Sequence, residues 1–482
     1  MKKIFLIAAS IMLSINVFAQ EKPNVVVILV DNLGFGDLSI YNGGTRGGMK
    51  TPNIDKLANE GMRLTQFLVE PGCTPSRSGL MTGQYSIRNG MSLVIVPGMS
   101  GGLDKDDFTM GKLFKSAGYN TAYAGKWHLG PLAVSQPQNQ GFDKWFLGFQ
   151  GTTDQTMYAD NMDEFGAPKA LKDALIPKIL EADGPGEAKE VRVYDREYRK
   201  MIEGEIANRS IAYINEQAKE NEPFLLMVGF TRPHYPNDVS DEFKGKTGVG
   251  KYGDSVFELD FRTGQILAAI KEAGIEDNTI VVFISDNGAT VTATTPDELH
   301  SGNNGPFRGE LGDAYEGSIR TVGMIRWPRK IKPSVTNEMI SIHDFLPTFA
   351  TILKKELPDN RPFDGIDQSD FLLGKQEKSN RNSLISFVGD RIVAVRWNQF
   401  RIYPVKINAT MNNPSIGGYM GTMTETAGFP QIYNIEADPR EMVDIAANGS
   451  GWIMGPYLQT VMKYRATLKT YPNPPASNVT KF

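Results

Sequence analysis

Two segments far apart in the chain share one pattern. Asn24 to Asn32 reads NVVVILVDN and Asn278 to Asn287 reads NTIVVFISDN. Each is a run of apolar, mostly β-branched residues closed by Asp-Asn. A strand with one wet face alternates polar and apolar residues, whereas a strand apolar on both faces needs cover on both. Sheets covered in that way are parallel, with helices packed above and below. The rest of the chain supplies those helices. Segments 53–61, 110–117, 196–219 and 255–273 carry helical apolar spacing, and 119–125 and 223–230 read as further buried strands. This alternation predicts an α/β fold with a mostly parallel central sheet and helices on both faces. After about Pro362 the texture changes. Segments 391–406 and 431–435 read as antiparallel strands and 457–470 as a last helix, which predicts a small C-terminal α+β subdomain. The expected division is a catalytic unit over 20–362 and a smaller unit over 363–482. Residues 152–200, polar and acidic, read as an insertion at the rim of a site.

Charge and cysteine content narrow the function. Among 482 residues, 51 are Lys or Arg and 55 are Asp or Glu, for a net charge of −4. No basic field is available for nucleic acid. The single cysteine permits neither an intrachain disulfide nor a thiolate zinc cluster. Residues 1–19 read as a signal peptide. Lys2 and Lys3 precede an apolar core from Ile4 to Leu13, and Val17-Phe18-Ala19 fits a cleavage site. That core is too short for a comfortable membrane span, and no other stretch is long enough, so no stable membrane insertion is expected. The expected location is periplasmic or secreted. Exported chains usually spend cysteines on disulfides, so a lone cysteine points to another task.

In open α/β sheets ligands bind beyond the carboxyl ends of the strands. The two Asp-Asn pairs, Asp31-Asn32 and Asp286-Asn287, end two such strands and offer oxygen ligands suited to Ca²⁺ or Mg²⁺. Asp and Asn are also ordinary turn residues, and either pair alone means no more than that. The lone cysteine settles the direction. Cys73 opens Cys-Thr-Pro-Ser-Arg, followed by Thr82-Gly83. This resembles the type I, formylglycine-dependent sulfatase signature C-x-P-S-R-x-x-x-x-T-G, an arylsulfatase-like family of the alkaline phosphatase superfamily. The likeness extends from about Asn24 to at least Ile445. It implies that Cys73 is oxidised to formylglycine by a maturation enzyme before export, and that the hydrated aldehyde is the nucleophile. One hydroxyl of such a diol attacks sulfur, and deprotonation of the other expels sulfate. The residue types suit that chemistry. Pro75 fits the first turn of a helix, whose N-terminus favours a bound anion, and Arg77 can hold residue 73 and ligand oxygens.

The remaining motifs can be placed residue by residue. Gly125-Lys126-Trp127-His128-Leu129-Gly130 matches the G-K-W-H-L-G segment, in which the lysine binds sulfate and the histidine orients or deprotonates the diol. Lys126 and His128 are two apart, which on an extended segment puts both on one side. Pro233-His234-Tyr235-Pro236 matches P-H-x-P, whose histidine meets the leaving oxygen. His343 fits an H-D-x-x-P-T segment and is expected to be structural. The resemblance thus implies Cys73, Arg77, Lys126, His128 and His234 as catalytic residues, with Lys126, His234 and His300 on the substrate. It also implies Asp31, Asn32, Asp286, Asn287 and residue 73 as ligands of a calcium ion, magnesium being second choice. Two positions depart from the pattern. Asp31-Asn32 stands where Asp-Asp is common, and Leu311 where many relatives carry a sulfate-contacting lysine, leaving His300 or a nearby arginine to compensate. The expected activity is hydrolysis of a sulfate monoester, with a sulfated carbohydrate as substrate. The rivals are a phosphomonoester or phosphonate-ester hydrolase of the same fold, and a non-catalytic sulfated-glycan binder.

Overall fold

The structure, a computed structural model, describes residues 22–42, 49–96, 99–291, 302–408 and 422–476. The leader and His300 lie outside the described residues. The main sheet has ten strands. In chain order they are β1 (Asn24–Asp31), β2 (Met62–Leu68), β3 (Asn120–Lys126), β4 (Lys144–Phe149), β5 (Lys178–Asp183), β6 (Lys189–Val193), β7 (Phe224–Pro233), β8 (Thr279–Ser285), β9 (Arg320–Arg326) and β10 (Ser334–Ser341). They lie side by side as β10-β2-β9-β8-β1-β7-β3-β4-β5-β6. The central four, β8, β1, β7 and β3, pair parallel to one another. Antiparallel pairs flank them at β8–β9, β2–β9, β4–β5 and β5–β6.

The two-faced strands do what their composition requires. Val25, Val27 and Leu29 of β1 enter one core, and Val26, Ile28 and Val30 enter the other. The first core is covered by α2 (Cys73–Thr82), α3 (Met110–Ser116) and α6 (Phe345–Ile352) through Leu80, Met81, Leu113, Phe114 and Phe349. The second is covered by α1 (Pro52–Glu60), α4 (Ile202–Gln217) and α5 (Lys251–Glu272) through Ile54, Leu57, Ile206, Val256 and Leu259. Each such side chain fully removed from water contributes about 1.5–3 kcal/mol. The doubly covered sheet is therefore the main source of stability, and it fixes where the strand ends point.

Two expectations are modified. The polar segment 152–200 is more than a rim insertion, because it contributes β5 and β6 and extends the main sheet. The helix expected over 196–219 is broken into a short turn, Arg196–Arg199, and α4. Beyond the main sheet, β11 (Ser383–Val388), β12 (Arg391–Trp397), β13 (Phe400–Tyr403) and β16 (Gln431–Asn434) form a four-stranded antiparallel sheet. Strands β14 (Val405–Asn408) and β15 (Thr422–Glu425) form a hairpin. Helix α7 (Met454–Thr467) packs Val461 and Tyr464 against Leu384, Ile385 and Phe387.

Candidate active site

Four neighbouring strands end at one place. Strand β1 ends in Asp31 and β3 in Lys126, β7 is followed by His234, and β8 by Asp286 and Asn287. Because the four are adjacent and parallel, their carboxyl ends converge. Helix α2 begins with Cys73 at the same point. The Cys73 Sγ and a carboxylate oxygen from each of Asp31 and Asp286 lie within 4.8 Å of one another, all three buried.

Charge is balanced side chain by side chain. The Arg77 Nε and Nη2 both lie 2.9 Å from Asp286 Oδ2, and its Nη1 donates to the Lys126 carbonyl at 2.7 Å. The Lys126 ammonium lies 2.6 Å from Asp31 Oδ2. Burial alone would raise the Asp31 carboxyl, but Lys126, His234 and Arg77 together hold it well below the usual range. Burial, and then the Asp31 charge, push Asp286 up to about 7. Burial pushes the Cys73 thiol up to about 12. Asn32 adopts φ 64°, which turns the chain so that its N–H donates to Asp286 Oδ1 at 3.1 Å. Its side-chain oxygen accepts from Asn287 Nδ2 at 2.7 Å. Asp31 Oδ1 and Asn287 Oδ1 are buried with no hydrogen-bond donor. Carboxylate and amide oxygens with free lone pairs around one point are the donor set a hard divalent cation takes, so these residues fit such an ion.

The two histidines are held differently. The strand stops at Lys126, and His128 takes φ 62°, so strand alternation does not orient it. Its Nε2 lies 2.8 Å from the Ile95 carbonyl. A carbonyl only accepts, so Nε2 carries the proton and Nδ1, buried and unpartnered, carries a lone pair. Burial, with Lys126 nearby, holds the ring well below its usual pKa, in the neutral form. His234 donates from Nδ1 to the Tyr235 carbonyl at 2.6 Å, which leaves Nε2 free to act. Its pKa is lowered by burial, against an upward pull from Asp31.

Arg199 and Tyr123 support the site and carry no motif. Arg199, fully buried, donates from Nη2 to the His234 carbonyl at 2.9 Å and from Nη1 to Thr231 Oγ1 at 2.5 Å, while Glu203 balances its charge. Tyr123 donates to the Lys126 carbonyl at 2.7 Å. The Leu311 amide donates to the Ala289 carbonyl at 3.3 Å, which sets Leu311 beside the segment leaving Asn287. The leucine supplies neither charge nor proton there. His343 sits between Ser341 Oγ and Glu70 Oε1, at 2.7 and 2.9 Å, within the core.

Parallel central strands that bring Asp31, Asp286 and Lys126 to one point, where a helix sets Cys73 and Arg77, suit a hydrolase of anionic esters. Comparison with known proteins narrows the class. The sulfatase family matches residues 23–355. Human steryl-sulfatase is 31% identical, covering 88% of this chain and 84% of that protein. Human arylsulfatase A is 32% identical, covering 89% and 84%. The solved structure of PsFucS1 sulfatase from Pseudoalteromonas sp. superposes with a TM-score of 0.86 at 32% identity, covering 95% of this chain and 92% of that one. The chain belongs to the sulfatase family, hydrolases of sulfuric esters. Phosphonate monoester hydrolase of Agrobacterium radiobacter shares the architecture alone, with a TM-score of 0.60 at 18% identity, covering 92% of this chain and 95% of that one. No helix among the described residues is long and apolar enough to cross a membrane.

Proposed function

We propose that the chain is an exported, formylglycine-dependent sulfatase that removes sulfate from a carbohydrate with a calcium ion bound. The observation that carries this reading is the meeting of Cys73 with the Asp31 and Asp286 carboxylates at the start of α2, beside Arg77 and Lys126. Formylglycine at position 73 supplies a hydrated-aldehyde nucleophile, and calcium supplies charge neutralisation for the sulfate oxygens. Asp31, Asn32, Asp286, Asn287 and residue 73 hold the ion. Lys126 and Arg77 neutralise the sulfate and position residue 73. The lone pair on His128 Nδ1 accepts a proton from residue 73. The Nε2 of His234, in its protonated form, meets the leaving oxygen. The leader over 1–19 directs export, and the maturation enzyme acts before it. A catalytic unit over 20–362 and a smaller unit over 363–482 complete the reading.

Peptide mass spectrometry of active protein tests the nucleophile. The expected result is a fraction of residue 73 that has lost hydrogen sulfide and gained one oxygen. Full activity with only unmodified Cys73 overturns it. Parallel assays on nitrophenyl sulfate, nitrophenyl phosphate and defined sugar sulfates separate a sulfatase from the phosphate and phosphonate hydrolases and from a glycan binder.

A further inference from the structure

A groove that runs up to Val291, just beyond Asn287, carries two arginines with no acidic partner among the described residues. One part, of about 460 Å³, is lined by residues 305–308 of the main unit and by Tyr433 and residues 440–442 of the C-terminal one. It shares Gly305, Phe307 and Arg308 with a second part, of about 270 Å³, which runs on to Asn304, Tyr315 and Val291. Val291 is four residues beyond Asn287, so it lies no more than about 14 Å along the chain from the proposed metal ligand. The wall is firmly built. The Asn304 side chain clamps both backbone groups of Ala289, at 2.8 and 3.0 Å, and also holds the Gly309 carbonyl. The Gly317 amide pins the Arg308 carbonyl at 2.6 Å.

Two cations face this groove. The Arg308 guanidinium lies 3.9 Å from the centre of the Tyr315 ring and, among the described residues, donates only to a backbone carbonyl, that of Glu441, at 3.2 Å. Arg440 is exposed, and among the described residues it has neither an acidic partner nor a side-chain hydrogen bond. The acids around the groove accept other groups, Asp438 taking the Met442 and Val443 amides at 2.7 and 2.8 Å. Glu441 is buried and receives the Tyr403 hydroxyl and the Glu316 amide. Glu310 receives the Val291 amide, and Asp313 the Glu310 and Tyr315 amides. Aromatic faces at Phe307 and Tyr433 line the same groove. Guanidinium forks match sulfate and carboxylate oxygens.

We propose that this groove is a subsite for a second anionic group, a sulfate or a carboxylate, on a sugar adjoining the one being desulfated. It rests on the carbohydrate-sulfatase reading above and deepens it: the substrate is a polyanionic oligosaccharide, and the C-terminal unit helps to select it. Arg308 and Arg440 hold the flanking anion, and Phe307 and Tyr433 pack against the sugar between the two anions.

The test compares wild type with Arg440→Gln and Arg308→Gln on four kinds of substrate. These are nitrophenyl sulfate, a monosulfated monosaccharide, and that sugar extended by a residue bearing either an anionic group or none. Separate sulfate and carboxylate versions of the anionic extension tell which anion is preferred. Wild type should favour an anionic extension over the neutral one by roughly 10-fold or more in kcat/KM, as hydrogen bonds to charged groups allow. Arg440→Gln, at an exposed position, should erase that preference and leave nitrophenyl sulfate and the monosaccharide unchanged. Arg308→Gln should also erase the preference. Absence of the preference in wild type, or equal losses on all four substrates, overturns the proposal. Titration of the anionic disaccharide, read by thermal shift, needs no turnover. If it binds in an Arg440-dependent way without cleavage, the hydrolase reading fails and the subsite stands. If it does not bind, or binds equally well to Arg440→Gln, the subsite fails.

Discussion

A backbone carbonyl decides which nitrogen of each catalytic-site histidine is free. Ile95 takes the Nε2 proton of His128, so Nδ1 is left as a base. Tyr235 takes the Nδ1 proton of His234, so Nε2 is the atom left for the leaving group. With Leu311 in place of a lysine, the proposed reading gives His234 the task of protonating a departing alkoxide. A sugar alkoxide needs that proton and nitrophenolate does not. His234→Ala is therefore expected to lose roughly 10²- to 10⁴-fold in kcat on a sugar sulfate, the usual worth of general acid catalysis, and much less on nitrophenyl sulfate. Equal losses on both would make His234 a sulfate-binding residue instead. Arg199 acts one step further out. Arg199→Lys keeps the charge beside Glu203 but loses the fork that spans Thr231 and the His234 carbonyl. A loss of about 10-fold on the sugar sulfate, with nitrophenyl sulfate and KM little changed, is expected from one charged hydrogen bond. Cys73, Arg77, Lys126 and His234 were legible as sequence because their motifs are local. Arg199 was not, because its role depends on a carbonyl 35 residues away and the segment around it looks like a solvated helix.

Strand ends are aimed by the way neighbouring strands touch. Gly125 of β3 lies against Gly229 of β7, and a Cβ at Gly125 would meet the Gly229 carbonyl oxygen at 2.3 Å with φ at +87°. Only glycine tolerates both the left-handed backbone and the close approach. Gly125→Ala is expected to cost about 2–5 kcal/mol, combining left-handed strain with overpacking. It should also reduce activity beyond the stability loss, since the next residue is Lys126. Urea denaturation and kcat on the folded fraction measure the two effects separately, and a variant as stable as wild type would contradict the packing argument. At this scale the two-faced strands were readable because continuous apolar runs admit few alternatives. Strands β5 and β6 were not. The E-V-R-V alternation of β6 is too short to mark a strand and its two valines are exposed, so only pairing to β5 makes it one. The segment 196–219 looks like one continuous helix in sequence because nothing in its apolar spacing reports the break at Lys200 and Met201.

Across the whole molecule, the two units meet through buried charge as well as apolar packing. Glu316, just before β9, pairs with Arg396 of β12 at 2.6 Å, both fully buried. Arg401 and Tyr403 of β13 reach the Ala314 carbonyl, and Tyr403 donates to Glu441. The sequence shows the change of texture near Pro362 but nothing of this seam, because its partners lie about 80 or more residues apart and each looks like a surface charge in isolation. The seam makes stability depend on pH in a definite direction. Burial pushes Glu441 up to about 7 from an ordinary 4.5, against the pull of Arg401. A carboxyl raised in the folded state favours folding most below its unfolded pKa, and that contribution is lost as pH rises through the folded value. Its cost to folding above pH 7 is at most about 3 kcal/mol. Gln at 441 keeps one oxygen to accept from Tyr403, gives up the long 3.3 Å bond from the Glu316 amide, and carries no charge to bury. Relative to wild type, Glu441→Gln should therefore unfold a few degrees higher at pH 8 than it does at pH 4.5, where the lost bond from the Glu316 amide is not offset. Paired melting curves at the two pH values give the comparison. A variant less stable at pH 8 than at pH 4.5, each relative to wild type, would mean that the Glu441 charge is held by Arg401 strongly enough to stabilise the seam.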